Sequence, residues 1–134
     1  MNEPDHAAAL IRAFVVPNRR DRYLKLLGSQ RGRARLREGL AHLHDLDPRF
    51  AKAIPPSDQS ADRIAALLQA HGAPEECVLL AEDDSLDGQR LALTVALDKI
   101  VGRGMGAFVS CIPGRLGYFE GEDAGERWLL ERAG

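Results

Sequence analysis

The apolar positions of this chain change their spacing several times, and each change marks an element. Residues 10–16, Leu-Ile-Arg-Ala-Phe-Val-Val, are rich in β-branched and aromatic side chains and read as a strand. Pro17 closes it and suits the first turn of a helix over 17–27, with Tyr23, Leu24 and Leu27 on one face. Gly28 and Ser29 break that helix. A second helix follows over 30–44, where Leu36, Leu40 and Leu43 form a core-facing stripe. Asp47-Pro48 stops it, because the residue before proline avoids the helical region.

Residues 48–57 read as a proline-containing loop. A third helix over about 58–71 is capped by Ser57 or Ser60, buries Ala61, Ile64, Leu67 and Leu68, and stops at Gly72. Residues 77–82 form a continuous apolar run, expected to be a buried strand. After the acidic loop 83–88 comes a helix over 92–101, with Leu93, Ala96, Leu97, Ile100 and Val101 on one face. Residues 107–112 and 115–120 pair as strands across Pro113-Gly114, which fits the centre of a type II turn. The segment 127–131 is expected to be a final strand.

The resulting order is β-α-α-α-β-α-β-β-β. It predicts one α+β domain spanning 1–134, with an N-terminal strand and helices packed on one face of a small, largely antiparallel sheet that ends in a β-meander. Residues 1–9 are polar and acidic and are expected to form a flexible tail.

Composition changes this picture little. Hydrophobic residues make up 45% and charged residues 28% of the 134 positions, with only 5% aromatics. Aliphatic side chains must therefore fill most of the core, and a chain of this length does so without disulfides or metal. Cys77 and Cys111 sit in apolar runs outside any C-x-x-C and read as buried free thiols. No apolar run reaches the ~18 residues of a membrane span, and no secretory pattern opens the chain. The cytoplasm is the expected location.

Charge changes the picture most. Residues 1–54 carry eleven Lys or Arg against six Asp or Glu, and residues 55–134 carry seven against fourteen. A net charge of −2 thus hides a basic front and an acidic back. Segregation of this kind points to an anionic partner or to docking of the two halves on each other. The basic residues concentrate in Arg19, Arg20, Arg22, Lys25, Arg31, Arg33, Arg35 and Arg37. At 100° per residue Arg31 and Arg35 fall opposite the leucine stripe, while Arg33 and Arg37 flank it. Two consecutive helices bearing these cations resemble a helix-turn-helix in outline, with Gln30 and Arg31 placed to read bases. Arginine far outnumbers lysine, as in chains from GC-rich genomes, so part of this richness is compositional background.

The catalytic and cofactor patterns are incomplete. Gly102-Arg103-Gly104-Met105-Gly106 lies between a helix and a strand, the reverse of a phosphate cradle, and lacks the Walker lysine. With Phe108 and Val109 it imitates an RNA-binding RNP1 stretch, but Met105 and Cys111 stand where stacking aromatics are needed. Asp83, Ser85, Asp87 and Gly88 begin like a calcium loop, yet the twelfth position is Thr94 in place of a bidentate Glu. His42 and His44 point about 200° apart on a helix and cannot share a metal. Ser110 has no nucleophile elbow, and strand alternation puts it and Cys111 on opposite faces.

The sequence therefore predicts no cofactor and no metal site. It favours a non-catalytic interaction module that binds a protein partner or itself. Its contacts would be Arg19, Arg20, Arg22, Arg31, Arg33, Arg35 and Arg37, with the turn Pro113, Gly114 and Arg115 as a second contact element. The alternatives are a nucleic-acid accessory protein using the same arginines, and an enzyme with an acidic site at Glu82, Asp83, Asp84 and Asp87.

Overall fold

A computed structural model describes residues 3–133 of the chain. The strand expected at 10–16 is instead the second half of a helix, α1 (Glu3–Phe14). Ala7, Leu10, Ile11 and Phe14 recur at helical spacing and are all buried. Treating 1–9 as a tail hid the first member of that stripe. Residues 3–9 of the expected tail belong instead to α1, and residues 1–2 lie outside the described residues. Val15 keeps only an isolated bridge to Leu46.

Pro17 opens α2 (Pro17–Leu27) as expected. Ser29 caps α3 (Gln30–Glu38), its hydroxyl accepting from Gly32 N at 3.0 Å. The helix expected to run to 44 ends at Gly39, and a 3-10 turn over Leu40–His42 continues the leucine stripe. The crossing of α2 and α3 is tight at Gly32, where a Cβ would stand 2.3 Å from the Leu26 carbonyl oxygen.

Six strands then form one sheet: β1 (Ala51–Ala53), β2 (Glu76–Ala81), β3 (Arg90–Ala92), β4 (Ala107–Ile112), β5 (Leu116–Glu120) and β6 (Arg127–Glu131). Their order is β1-β6-β5-β4-β2-β3, and all pairings are antiparallel. The architecture is the α+β class expected, with β4, β5 and β6 as the meander. Gly114 has φ of +71° and Arg115 N bonds Ile112 O at 3.0 Å, as a type II turn requires. Two short strands were missed: β1 lies inside the proline-rich loop, and β3 runs directly into α5 (Leu93–Ile100).

The helices cover both faces of the sheet, not one. Cys77, Leu79, Val109, Cys111, Tyr118 and Leu129 pack under α5 and α4 (Ala61–Ala70). The alternate residues Leu80, Phe108, Phe119 and Leu130 pack against Leu10 and Phe14 of α1 and Leu36 of α3. The Phe108 and Phe119 rings meet at 4.8 Å in the centre of that second layer. Two-sided cover follows from the sequence of β2, whose residues Cys77 to Ala81 are buried without alternation. No described helix is long and apolar enough to cross a membrane.

Candidate interaction surface

The arginines of α2 and α3 divide into two groups, and the division follows which of them meet carboxylates of the rest of the molecule. Arg33 and Arg37 lie one turn apart and face the loop that links β2 to β3. Arg33 grips Asp87 with two parallel bonds, Nε to Oδ2 at 2.9 Å and Nη2 to Oδ1 at 3.1 Å. Arg37 Nε donates to Ala81 O at 2.7 Å and lies 3.4 Å from Asp87, while Nη2 reaches Glu82 O at 3.0 Å and Asp84 at 2.5 Å. The basic front and the acidic back of the sequence therefore meet inside one molecule.

Asp87 does more than pair with arginine. The odd residues of β2 turn their backbone groups toward β3, as Leu79 does with Gln89 and Gly88. Past the end of β3, Ala81 N has no strand partner and donates to Asp87 Oδ1 at 3.0 Å. Asp83 is occupied by its own turn, accepting from Ser85 N and Oγ, which hold its carboxyl below the usual carboxylate range. The acidic residues weighed as a catalytic or calcium site are thus placed at a clasp, with Asp84 and Asp87 held by arginine.

Arg20 is also turned inward. Its Nε donates to Val15 O at 2.7 Å, and its guanidinium lies 3.5 Å from buried Asp47. Asp47 in turn receives Arg49 through Nε at 3.1 Å and Nη2 at 2.7 Å, and those bonds hold its carboxyl below the ordinary value. Tyr23 donates to Asp45, and burial first, then Asp45, raises its phenol to about 12.

What remains is Arg19, Arg22, Lys25, Arg31 and Arg35. All five are exposed, and none forms an ion pair with another described residue. Exposed Asp21 and Glu38 lie among them. No described aromatic side chain is exposed, so this surface offers no stacking platform for bases.

The second predicted contact element is mostly covered. Gly114 lies against Ala9 and Ala13 of α1, and only Arg115 of that turn is exposed. The glycine-rich stretch is absorbed structurally. Gly102 N donates to Glu120 Oε2 at 2.9 Å, and a Cβ on Gly106 would meet the Leu40–Ala41 backbone at 2.3 Å. Sequence reasoning missed the pair His6 and Ser110, which are 104 residues apart and bonded at 2.7 Å in the core. Ser110 is fully buried, so this contact is structural and closed to a substrate. His42 and His71 face Glu122 and Glu131 at 3.0 and 2.9 Å, and no three metal-ligating side chains cluster among the described residues.

The cavities are open surface grooves. One of about 460 Å³ runs between β1 and α4, lined by Ile54, Leu67 and Leu129 with Lys52, Arg63 and His71 at its rim. No family model matches the chain, and no curated protein or solved structure matches it.

Proposed function

We propose that this protein is a non-catalytic interaction module whose α2–α3 hairpin binds an acidic protein surface. The observation that carries the reading is the set of five exposed cations left without ion pairs after the neighbouring arginines have been neutralised from within. Surface arginines that have no internal role present donors suited to carboxylates. The interspersed Asp21 and Glu38 favour a protein partner with a mixed charge pattern over a uniform phosphate backbone. The absence of an exposed aromatic among the described residues favours it over single-stranded nucleic acid.

The test is fluorescence anisotropy with three labelled probes: a Glu/Asp-rich peptide, mixed-sequence duplex DNA and single-stranded RNA, each at several salt concentrations. Preferential binding of the peptide, weakened by Arg31→Glu with Arg35→Glu, supports the reading. Tighter DNA binding with a steep log–log salt slope replaces it with the nucleic-acid alternative. Peptide binding that survives both substitutions refutes this surface, as does failure of all three probes to bind. Solution mass at each salt concentration distinguishes a second copy of the chain as the partner.

A further inference from the structure

We infer that Cys77 and Cys111 form a thiol pair that a peroxide oxidises to an intramolecular disulfide. The β2–β4 ladder sets Val78 opposite Ser110 and Leu79 opposite Val109. One more step in that register brings Cys77 opposite Cys111. Both side chains point into the same core layer, under α4 and α5, and both are free thiols.

The backbone pattern favours closure. Glu75 O accepts from Leu93 N, and Leu79 donates to Gln89 O and accepts from Gly88 N, all on the β3 side, whereas Glu82 N donates to Gly106 O on the β4 side. The odd positions of β2 are therefore non-hydrogen-bonded positions toward β4. Facing Cα atoms at such positions lie about 4.5 Å apart, within the ~4.4–6.8 Å that a disulfide spans. The β4–β5 register also shifts between Ser110 and Ile112, so Cys111 sits at a bulge, where the strand can adjust. Cys77 is close enough to act electrostatically on Cys111.

Both thiols are buried, Cys77 at 1% and Cys111 at 4% exposure, so the oxidant must be small. Cys111, the more exposed of the two, is taken as the first to react. Its sulfur, as thiolate, attacks one peroxide oxygen; the S–O bond forms, the O–O bond breaks and the second oxygen leaves as water. The Cys77 sulfur then displaces water from the sulfenic acid, forming the S–S bond. Two thiols lose two electrons and hydrogen peroxide becomes two waters. Burial holds both thiols up at about 12, so the pair reacts more slowly than an exposed cysteine.

The reduced full chain is treated with hydrogen peroxide, then unfolded in alkylating agent and analysed by intact mass and peptide mapping. The expected product is a monomer that has lost two hydrogens, takes up no alkyl group and yields one linked peptide pair containing Cys77 and Cys111. Its thermal midpoint should rise and should return on reduction. The same treatment in urea, where the register is lost, should give less of the link. Cysteines that stay alkylable at every peroxide dose overturn the inference, as do links only between chains or oxidation to sulfonic acid without a link. The measurement uses the unmodified chain, so no variant has to fold.

Discussion

Replacing Asp87 by Ala should cost far more stability than removal of a surface carboxylate. Asp87 lies at the junction of α3, β2 and the loop before β3, and its side chain is 11% exposed. The substitution removes both Arg33 bonds, the Arg37 contact and the acceptor for Ala81 N. An unsatisfied buried amide costs about 1–3 kcal/mol. Breaking a fully buried ion pair costs about 3–5 kcal/mol, but Arg33 is 19% exposed and can turn partly to water. That component therefore falls to about 1–2 kcal/mol, well above the ~0–1 kcal/mol of an exposed pair. The sum is about 2–5 kcal/mol, a large share of the ~5–15 kcal/mol that stabilises a domain. Urea unfolding followed through Trp128 fluorescence measures it. With a slope of about 2 kcal/mol per molar, the midpoint should drop by roughly 1–2.5 M. Asp87→Asn keeps an acceptor for Ala81 N and should lose less. A double-mutant cycle with Arg33→Ala should return a coupling of about 1 kcal/mol or more. An Asp87→Ala loss below about 0.5 kcal/mol, or additivity in the cycle, would refute the clasp.

Gly32→Ala should destabilise by about 1–3 kcal/mol, because the new methyl group meets the Leu26 backbone and not a yielding side chain; an unchanged urea midpoint would mean that α2 and α3 do not cross there. Asp47 has a depressed carboxyl, held first by the Arg49 hydrogen bonds. Its contribution is therefore fully present above the unfolded carboxylate value of about 3.9 and is lost as pH falls through the lower folded value. The urea midpoint of the wild type should exceed that of Asp47→Asn at neutral pH, and the gap should close only in strong acid. A gap that stays constant down to the acid transition would contradict that sign.

How far the sequence revealed this fold depended on whether an element carried its signal locally. The leucine stripe that begins at Leu36, a serine cap (Ser57 or Ser60, of which the structure uses Ser60) and Gly72 end for α4, and the Pro113-Gly114 turn each rest on residues within one or two turns of one another. All are present in the structure. The strand assigned to 10–16 failed because β-branched Ile11, Val15 and Val16 outweighed a helical spacing that begins at Ala7. β1 and β3 have three residues each, too few for periodicity to register, and they exist because β6 and β2 supply partners. The pair His6 and Ser110 had no readable signal, since nothing in sequence links positions 104 residues apart.

The charge asymmetry was legible, but its meaning was not. Helix geometry sets Arg31 opposite the stripe and Arg33 beside it, but Arg35 and Arg37 lie at nearly equal angles of about 107° and 93° on its two sides, so which of them is neutralised depends on what packs against each side. A residue beside a buried stripe lies at the margin of the core, where it can reach whatever element packs next to the helix. Here that element is the β2–β3 loop, and its carboxylates lie where Arg33 and Arg37 arrive. Arg33 and Arg37 thus hold the molecule together, and Arg31 and Arg35 remain free to bind. Charge reversal at Arg31 and Arg35 therefore tests binding with little cost to the fold, whereas the same change at Arg33 or Arg37 would confound the two. The loss of stability that accompanies Asp87→Ala, set beside intact stability in Arg31→Glu with Arg35→Glu, is the contrast that separates an internal clasp from an external surface.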